Sequence, residues 1–95
     1  MADQTRVVHQ PELQRFEVLV DGQRCELDYL LHARTMRIHH TGVPPSLQGR
    51  GIAATLAAAA LAEARRQGWR VRPVCSYVRT YMRRHPETQD LLETP

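Results

Sequence analysis

The segment from residue 44 to residue 68 leaves the chain the least choice. Pro44 and Pro45 break regular structure, so residues 42–48 are expected to form a loop. From about residue 49 to residue 67 the sequence is rich in alanine, with Ile52, Leu56 and Leu61 at helical spacing. Gly68 supplies a left-handed stop. The rest of the chain must therefore bring a loop to the start of a long helix and cover that helix's apolar stripe.

The flanking sequence reads as a sheet that does this. Residues 15–20 alternate, with Phe16, Val18 and Val20 on one face, and Asp21-Gly22 is a hairpin signal. Residues 24–31 alternate again, with Cys25, Leu27, Tyr29 and Leu31 opposite Arg24, Glu26 and Asp28. A short polar turn leads to a third strand over residues 36–41. Simple alternation puts Met36, Ile38 and His40 on one face and His39 on the other, in water. The polar start of the chain, residues 1–13, offers at most an edge strand around residues 6–9. Beyond Gly68, residues 69–74 read as a strand that Pro73 places near an edge. Residues 76–85 read as a short helix stopped by Pro86, and a last turn runs through Leu91 and Leu92. The expected fold is α+β, an α/β sandwich with a mostly antiparallel sheet, a long central helix and a short C-terminal helix. A chain of 95 residues makes this one domain, over residues 1–95.

Composition removes several chemistries. All 13 basic residues are arginine and there is no lysine, with a formal net charge of +3. A P-loop needs Lys beside its last Gly, and Schiff-base enzymes need a lysine amine, so both are excluded. Guanidinium groups suit phosphate and carboxylate partners, or simply a solvated surface. The start of the chain does not resemble a signal peptide. The longest mostly apolar run, residues 52–64, is interrupted by Thr55 and Glu63 and falls short of the ~20 residues a membrane span needs. Cys25 and Cys75 are too few for a disulfide framework or a cysteine zinc site. The five histidines lack a metal-binding spacing, so no metal is expected. These features point to a cytoplasmic protein with reduced thiols.

The run Leu47-Gln48-Gly49-Arg50-Gly51-Ile52-Ala53-Ala54 opens the long helix. Such a start is an anion site, because the first turn has unpaired N–H groups and the positive end of the helix dipole. Glycines let a phosphate approach without a Cβ in the way. Gly49-x-Gly51-x-x-Ala54 formally fits a dinucleotide fingerprint, but the acidic residue expected ~20 positions on is missing and the preceding strands read as an antiparallel meander.

Gln48-x-x-Gly51-x-Ala53 resembles instead the pyrophosphate loop of the GCN5-related N-acetyltransferases (GNAT). Three more motifs extend the resemblance: His40-Thr41-x-Val43-Pro44, then Pro73-Val74-Cys75-Ser76-Tyr77-Val78, then Tyr81 with His85-Pro86-Glu87. Together they resemble the small, stand-alone acetyltransferase-like family of the YjdJ or NATD1 type, over nearly the whole chain. The resemblance implies a truncated fold without the usual N-terminal elements, with acetyl-CoA held between two splayed parallel strands, here residues 36–43 and 70–74. Backbone groups from Thr41 to Val43 would meet the thioester and pantetheine. Gln48, Gly49, Arg50, Gly51, Ile52 and Ala53 would cradle the pyrophosphate. One of Arg79, Arg83 or Arg84 would stand near phosphate, with most of the other arginines facing water.

Acetyl transfer to an amine needs a base, and the thiolate leaving group benefits from an acid. His40, at the end of the third strand, is the candidate base, or a structural histidine at a strand end. Cys75 is a candidate nucleophile or a small buried hydrophobe, while Cys25 belongs to the core. Tyr81 is the candidate acid or an aromatic packing residue, with Tyr77, one turn earlier, as its substitute. The acids Glu17, Glu26 and Asp28 lie on the open sheet face, which could draw a cationic amine, mediate a weak homodimer, or stay wet in a monomer. The expected function is transfer of acetyl from acetyl-CoA to an amine. The alternative is a CoA or acyl-CoA binding module without turnover. Nucleic-acid binding through the arginines at 65–84 lacks a reading motif and is not expected.

Overall fold

The computed structural model of the chain describes residues 6–93. Its elements are β1 (Val8–Gln10), β2 (Arg15–Val20), β3 (Gln23–His32), β4 (Thr35–Gly42), α1 (Ile52–Gln67), β5 (Arg70–Pro73) and α2 (Ser76–Arg84). Short 3-10 turns occupy Pro11–Leu13, Pro45–Leu47 and Pro86–Leu91. The strands form one sheet in the order β1-β2-β3-β4-β5. The first four are antiparallel, and β5 joins β4 in parallel after the crossover through α1. The expected α+β architecture is the one observed. The reading of residues 1–5 lies outside the described residues.

Both hairpins use two-residue loops with positive φ at each position. Asp21 and Gly22 have φ of 52° and 75°, and Ala33 and Arg34 have φ of 50° and 66°. Such loops match the right-handed twist of the strands they join. Arg34 also ties the second hairpin to the end of α1, since its Nη2 donates to the Gln67 carbonyl oxygen at 2.9 Å. The helix itself ends in a Schellman motif, with the Trp69 amide bonded to the Ala64 carbonyl at 2.8 Å and the Gly68 amide to that of Arg65 at 3.2 Å.

Alternation puts Phe16, Val18, Val20, Cys25, Leu27, Tyr29, Met36, Ile38 and Val71 under the helices, all buried. Ala57, Ala60 and Ala64 have no exposed surface, so α1 lies close against the sheet where larger side chains would hold it off. Val78 and Met82 bring α2 into the same core. The other sheet face is bare and charged. Arg15 Nε donates to Asp28 Oδ1 at 2.6 Å, and Arg24 Nε lies 3.3 Å from Glu26 Oε1. The open-face acids are thus already partnered by arginine.

One departure from simple alternation matters for the site. Asp28 pairs with His40 while Tyr29 pairs with Ile38, so β4 carries one extra residue, His39. This β-bulge reverses the side-chain phase beyond it. Thr41, opposite Leu27, points to the helix side. His40 joins Glu26 on the open face and does not share a face with Met36 and Ile38.

The arginines at 65–84 are all exposed, as expected, and several of them also make surface pairs. Arg65 forms a two-pronged pair with Asp90 at 2.9 Å on each prong, Arg66 pairs with Glu63 at 2.6 Å, and Arg70 donates to the Asp90 carbonyl at 2.7 Å. The forked donors of Arg65 and Arg70 strap the C-terminal segment onto α1 and β5, while the Arg66 pair lies within α1. Among the described residues, no helix is long and apolar enough to cross a membrane.

Candidate functional site

The sheet opens where β4 and β5 part company. Their last paired residues are Ile38 and Pro73. The Ile38 carbonyl oxygen then accepts both the Val74 amide at 3.0 Å and the Cys75 amide at 2.8 Å, which turns the chain away into α2. Residues 39–42 continue with no strand beside them on that side. The expected splay is therefore present, and its backbone is left without a ladder partner.

A cleft of about 440 Å³ fills the helix side of this opening. Thr41, Val43, Gln48, Gly49, Gly51, Ile52 and Ala53 line it, together with Leu47, Ala54 and Tyr77. Seven of the eight residues expected at the cofactor are thus brought together. The exception is Arg50, whose Nη2 instead pairs with Asp21 Oδ2 at 3.0 Å, away from the cleft lining. Arg79, Arg83 and Arg84 do not line the cleft either. Arg79 Nη2 donates to the Val74 carbonyl at 2.8 Å.

The loop is built to hold this shape. Leu47 is buried and anchors it to the core. Gln48 Nε2 donates to the Val43 carbonyl at 3.1 Å, and Gln23 Nε2 to Ser46 Oγ at 3.0 Å. Gly49 and Gly51 have φ of 86° and 79°, which only glycine adopts freely. For that reason α1 begins at Ile52 and not at residue 49. A Cβ on either glycine would meet nothing within 4 Å, so the space in front of them is open. No side chain caps α1. The N–H groups of Ile52, Ala53 and Ala54 have no intrahelical partner and face a ready anion position. An acidic phosphate fits this cradle on shape and on charge.

The reactive candidates separate. Cys75 is a free, half-buried thiol at the N-cap of α2, with its Sγ 3.6 Å from Thr41 Oγ1. Cys25 is fully buried, and burial pushes its thiol pKa up, as suits a core residue. Tyr81 stacks on His85 with ring centroids 3.9 Å apart, beside Leu61 and Leu91, and is not in the cleft. Of the two candidate tyrosines only Tyr77 lines the cleft, because the first turn of α2 is the part nearest the opening. Burial raises its phenol pKa, so it keeps its proton as a donor. The signal for Tyr77 was its position two residues after Cys75. His40 stands on the far side of β4, its Nε2 3.1 Å from Glu26 Oε2.

A second hollow, of about 540 Å³, lies at the other end of α1 and includes His9, Tyr29, Glu63, Arg66 and Trp69. Its polar groups already pair with one another. His9 Nε2 and Tyr29 Oη are 2.7 Å apart, and Glu63 accepts from Arg66 and Gln67. Among the described residues there is no cluster of three or more groups suited to a metal ion.

Comparison with known proteins agrees with the geometry. Residues 15–91 match the family model of the GCN5-related N-acetyl-transferases. Protein NATD1 of Xenopus tropicalis is 33% identical over 89 residues, covering 90% of this chain and 82% of that protein. Protein NATD1 of Homo sapiens is 34% identical over 89 residues, covering 90% and 79%. A solution NMR structure from Staphylococcus aureus, described as GCN5-like, superposes with a TM-score of 0.74 at 21% identity, covering 97% of this chain and 91% of that one. That likeness establishes the shared fold. A splayed sheet, a glycine cradle at a helix start and a family match spanning residues 15–91 lead to one conclusion: the chain belongs to the GCN5-related N-acetyltransferase family.

Proposed function

We propose that the protein binds acetyl-CoA and transfers its acetyl group to an amine. The observation that carries this reading is the cleft of about 440 Å³ joining the uncapped start of α1 to the parting of β4 and β5. The amides of residues 51–54 would hold the pyrophosphate, and the strand edge at residues 41–43 would hold the pantetheine arm. Acetyl-CoA, when bound, supplies an activated thioester carbonyl.

The chain's own groups account for the proton movements. Cys75, at the N-cap of α2 and beside the Thr41 hydroxyl, is placed for its sulfur to take the acetyl group. Tyr77 Oη gives its proton to the departing thiolate. In the second half, the acceptor nitrogen would enter the gap between β4 and β5 from the open face where His40 stands, form its bond to the acetyl carbon as the bond to Cys75 Sγ breaks, and give its proton to His40. The two free thiols suit a reducing, cytoplasmic compartment.

Isothermal titration with acetyl-CoA tests the reading. Heat of binding is expected at micromolar cofactor, and Gly51→Asp, which sets a carboxylate in the cradle, is expected to weaken it at least about tenfold through like-charge repulsion. No heat at high micromolar acetyl-CoA overturns it. A second reading, binding without turnover, draws on the bare sheet face, which no helix among the described residues covers to shape an acceptor pocket. Release of free CoA that depends on added amine decides between the two.

A further inference from the structure

The bulge at His39 creates an arrangement that alternation hides. It brings the His40 imidazole to Glu26 on the neighbouring strand, with Nε2 3.1 Å from Oε2. An ionised carboxylate only accepts hydrogen bonds, so Nε2 carries the proton and Nδ1 keeps the lone pair. No hydrogen bond to His40 Nδ1 is present among the described residues. The other carboxylate oxygen, Oε1, lies 3.3 Å from Arg24 Nε, so the Glu26 group is held at both ends. Its side chain is 20% exposed, against 47% for His40.

Gly42 makes the pair sterically possible. A Cβ at this position would lie 2.7 Å from Glu26 Oε2 and 2.9 Å from His40 Nε2. Any side chain here would push against both partners at once. The pair therefore depends on three residues from two strands: the carboxylate, the imidazole, and an empty position beside them. It sits on β4 at the residues left without a neighbour where β5 turns away, one residue from cleft-lining Thr41.

We propose that Glu26 is a positioning residue that fixes His40 with Nε2 protonated and Nδ1 free to accept the acceptor amine's proton, and that the bare Gly42 position leaves room for this pairing. The inference rests on the acyltransferase reading for its role in turnover, while the pairing itself is testable without it. A carboxylate that orients an imidazole also stabilises the imidazolium formed as the proton arrives. Glu26 does not touch the reacting atoms.

Nitrogen-15 NMR of the full chain reads the pairing directly. The expected signature is the Nε2-protonated tautomer of neutral His40, with Nε2 in the protonated and Nδ1 in the lone-pair range of nitrogen shifts. Glu26→Ala is expected to abolish it, and Gly42→Ala to weaken it with both partners still present. Glu26→Gln, which keeps an acceptor oxygen, is expected to restore it in part. A His40 protonated at Nδ1, or a signature unchanged in Glu26→Ala, overturns the proposal. In steady-state assays with a primary amine, Glu26→Ala is expected to lower kcat about tenfold or more, with the KM for acetyl-CoA unchanged and partial rescue in Glu26→Gln. Full kcat in Glu26→Ala with normal acetyl-CoA binding overturns the proposal and leaves the acyltransferase reading standing. Absence of acetyl-CoA binding in the unaltered protein removes that reading, and with it the proposed role of Glu26, while the nitrogen shifts still decide the pairing.

Discussion

Thr41 Oγ1 and Cys75 Sγ stand 3.6 Å apart across the point where β4 and β5 separate. The two residues are distant in sequence and belong to different elements, yet their side chains meet, Thr41 in the cleft lining and Cys75 just outside it. The contact sets the thiol beside a hydroxyl at the start of α2. Intact-mass measurement after brief exposure to acetyl-CoA is expected to show one added acetyl group. Cys75→Ala should lose it, and Thr41→Val should slow its appearance several-fold. An unmodified thiol under single-turnover conditions would set aside the covalent route.

The two tyrosines of α2 give a paired test. Tyr77 lines the cleft, whereas Tyr81 is stacked on His85. Tyr77→Phe is expected to lower kcat by about 10–100-fold, in the range of a lost acid catalyst. Tyr81→Phe should leave kcat near that of the unaltered protein. Comparing the two rate constants at saturating acetyl-CoA checks this, and equal losses would contradict the assignment.

Leu47 ties the glycine loop to the core and is 1% exposed. Leu47→Ala is expected to cost about 2–4 kcal/mol by lost burial and the cavity left behind. The loop it anchors should loosen too, raising the Kd for acetyl-CoA. Urea unfolding and titration of the same variant measure the two effects.

Ala33 holds φ at 50° in the β3–β4 hairpin, a conformation that costs an alanine about 1 kcal/mol. Asparagine tolerates this region better. Ala33→Asn is therefore expected to stabilise the fold by about 0.5–1 kcal/mol, visible as a higher Tm, without changing cofactor binding.

His9 stacks on Phe16 at 4.1 Å, and its pKa is lowered, chiefly by burial, with Glu63 acting in the opposite sense. A base whose folded value is depressed contributes stability above its unfolded value and loses it as pH falls through the folded one. The Tm is thus expected to drop as pH falls below the ordinary histidine value of about 6.5. His9→Phe should flatten this part of the profile, since a phenyl ring keeps the stack and cannot take a proton. An equally steep drop in the variant would place the acid sensitivity elsewhere.

The outline of the fold was legible because each element carries its own local signal. The boundaries of β2 at Arg15–Val20, the hairpin at Asp21-Gly22 and the end of α1 at Gly68 follow from alternation, turn chemistry and capping. The glycine cradle was legible for the same reason: its function depends on backbone geometry that glycine itself enforces. Catalytic geometry was less legible. His40 was expected beside Met36 and Ile38, but one inserted residue turns it to the opposite face. Arg50 was expected at phosphate, but Asp21 on a distant hairpin claims it at 3.0 Å. Tyr81 and Tyr77 are one helical turn apart, and only the packing of α2 decides which reaches the cleft.

The sequence by itself determined where the chain is helix, strand and turn, and that an anion cradle opens α1. Those properties arise from neighbours within a few residues along the chain. The tertiary structure alone decided which side chains share a space: Thr41 with Cys75, His40 with Glu26 over Gly42, and Tyr77 with the glycine loop. A surface salt bridge contributes at most about 1 kcal/mol, and neither it nor a bulge leaves a periodic trace, so such contacts are set by the packed whole.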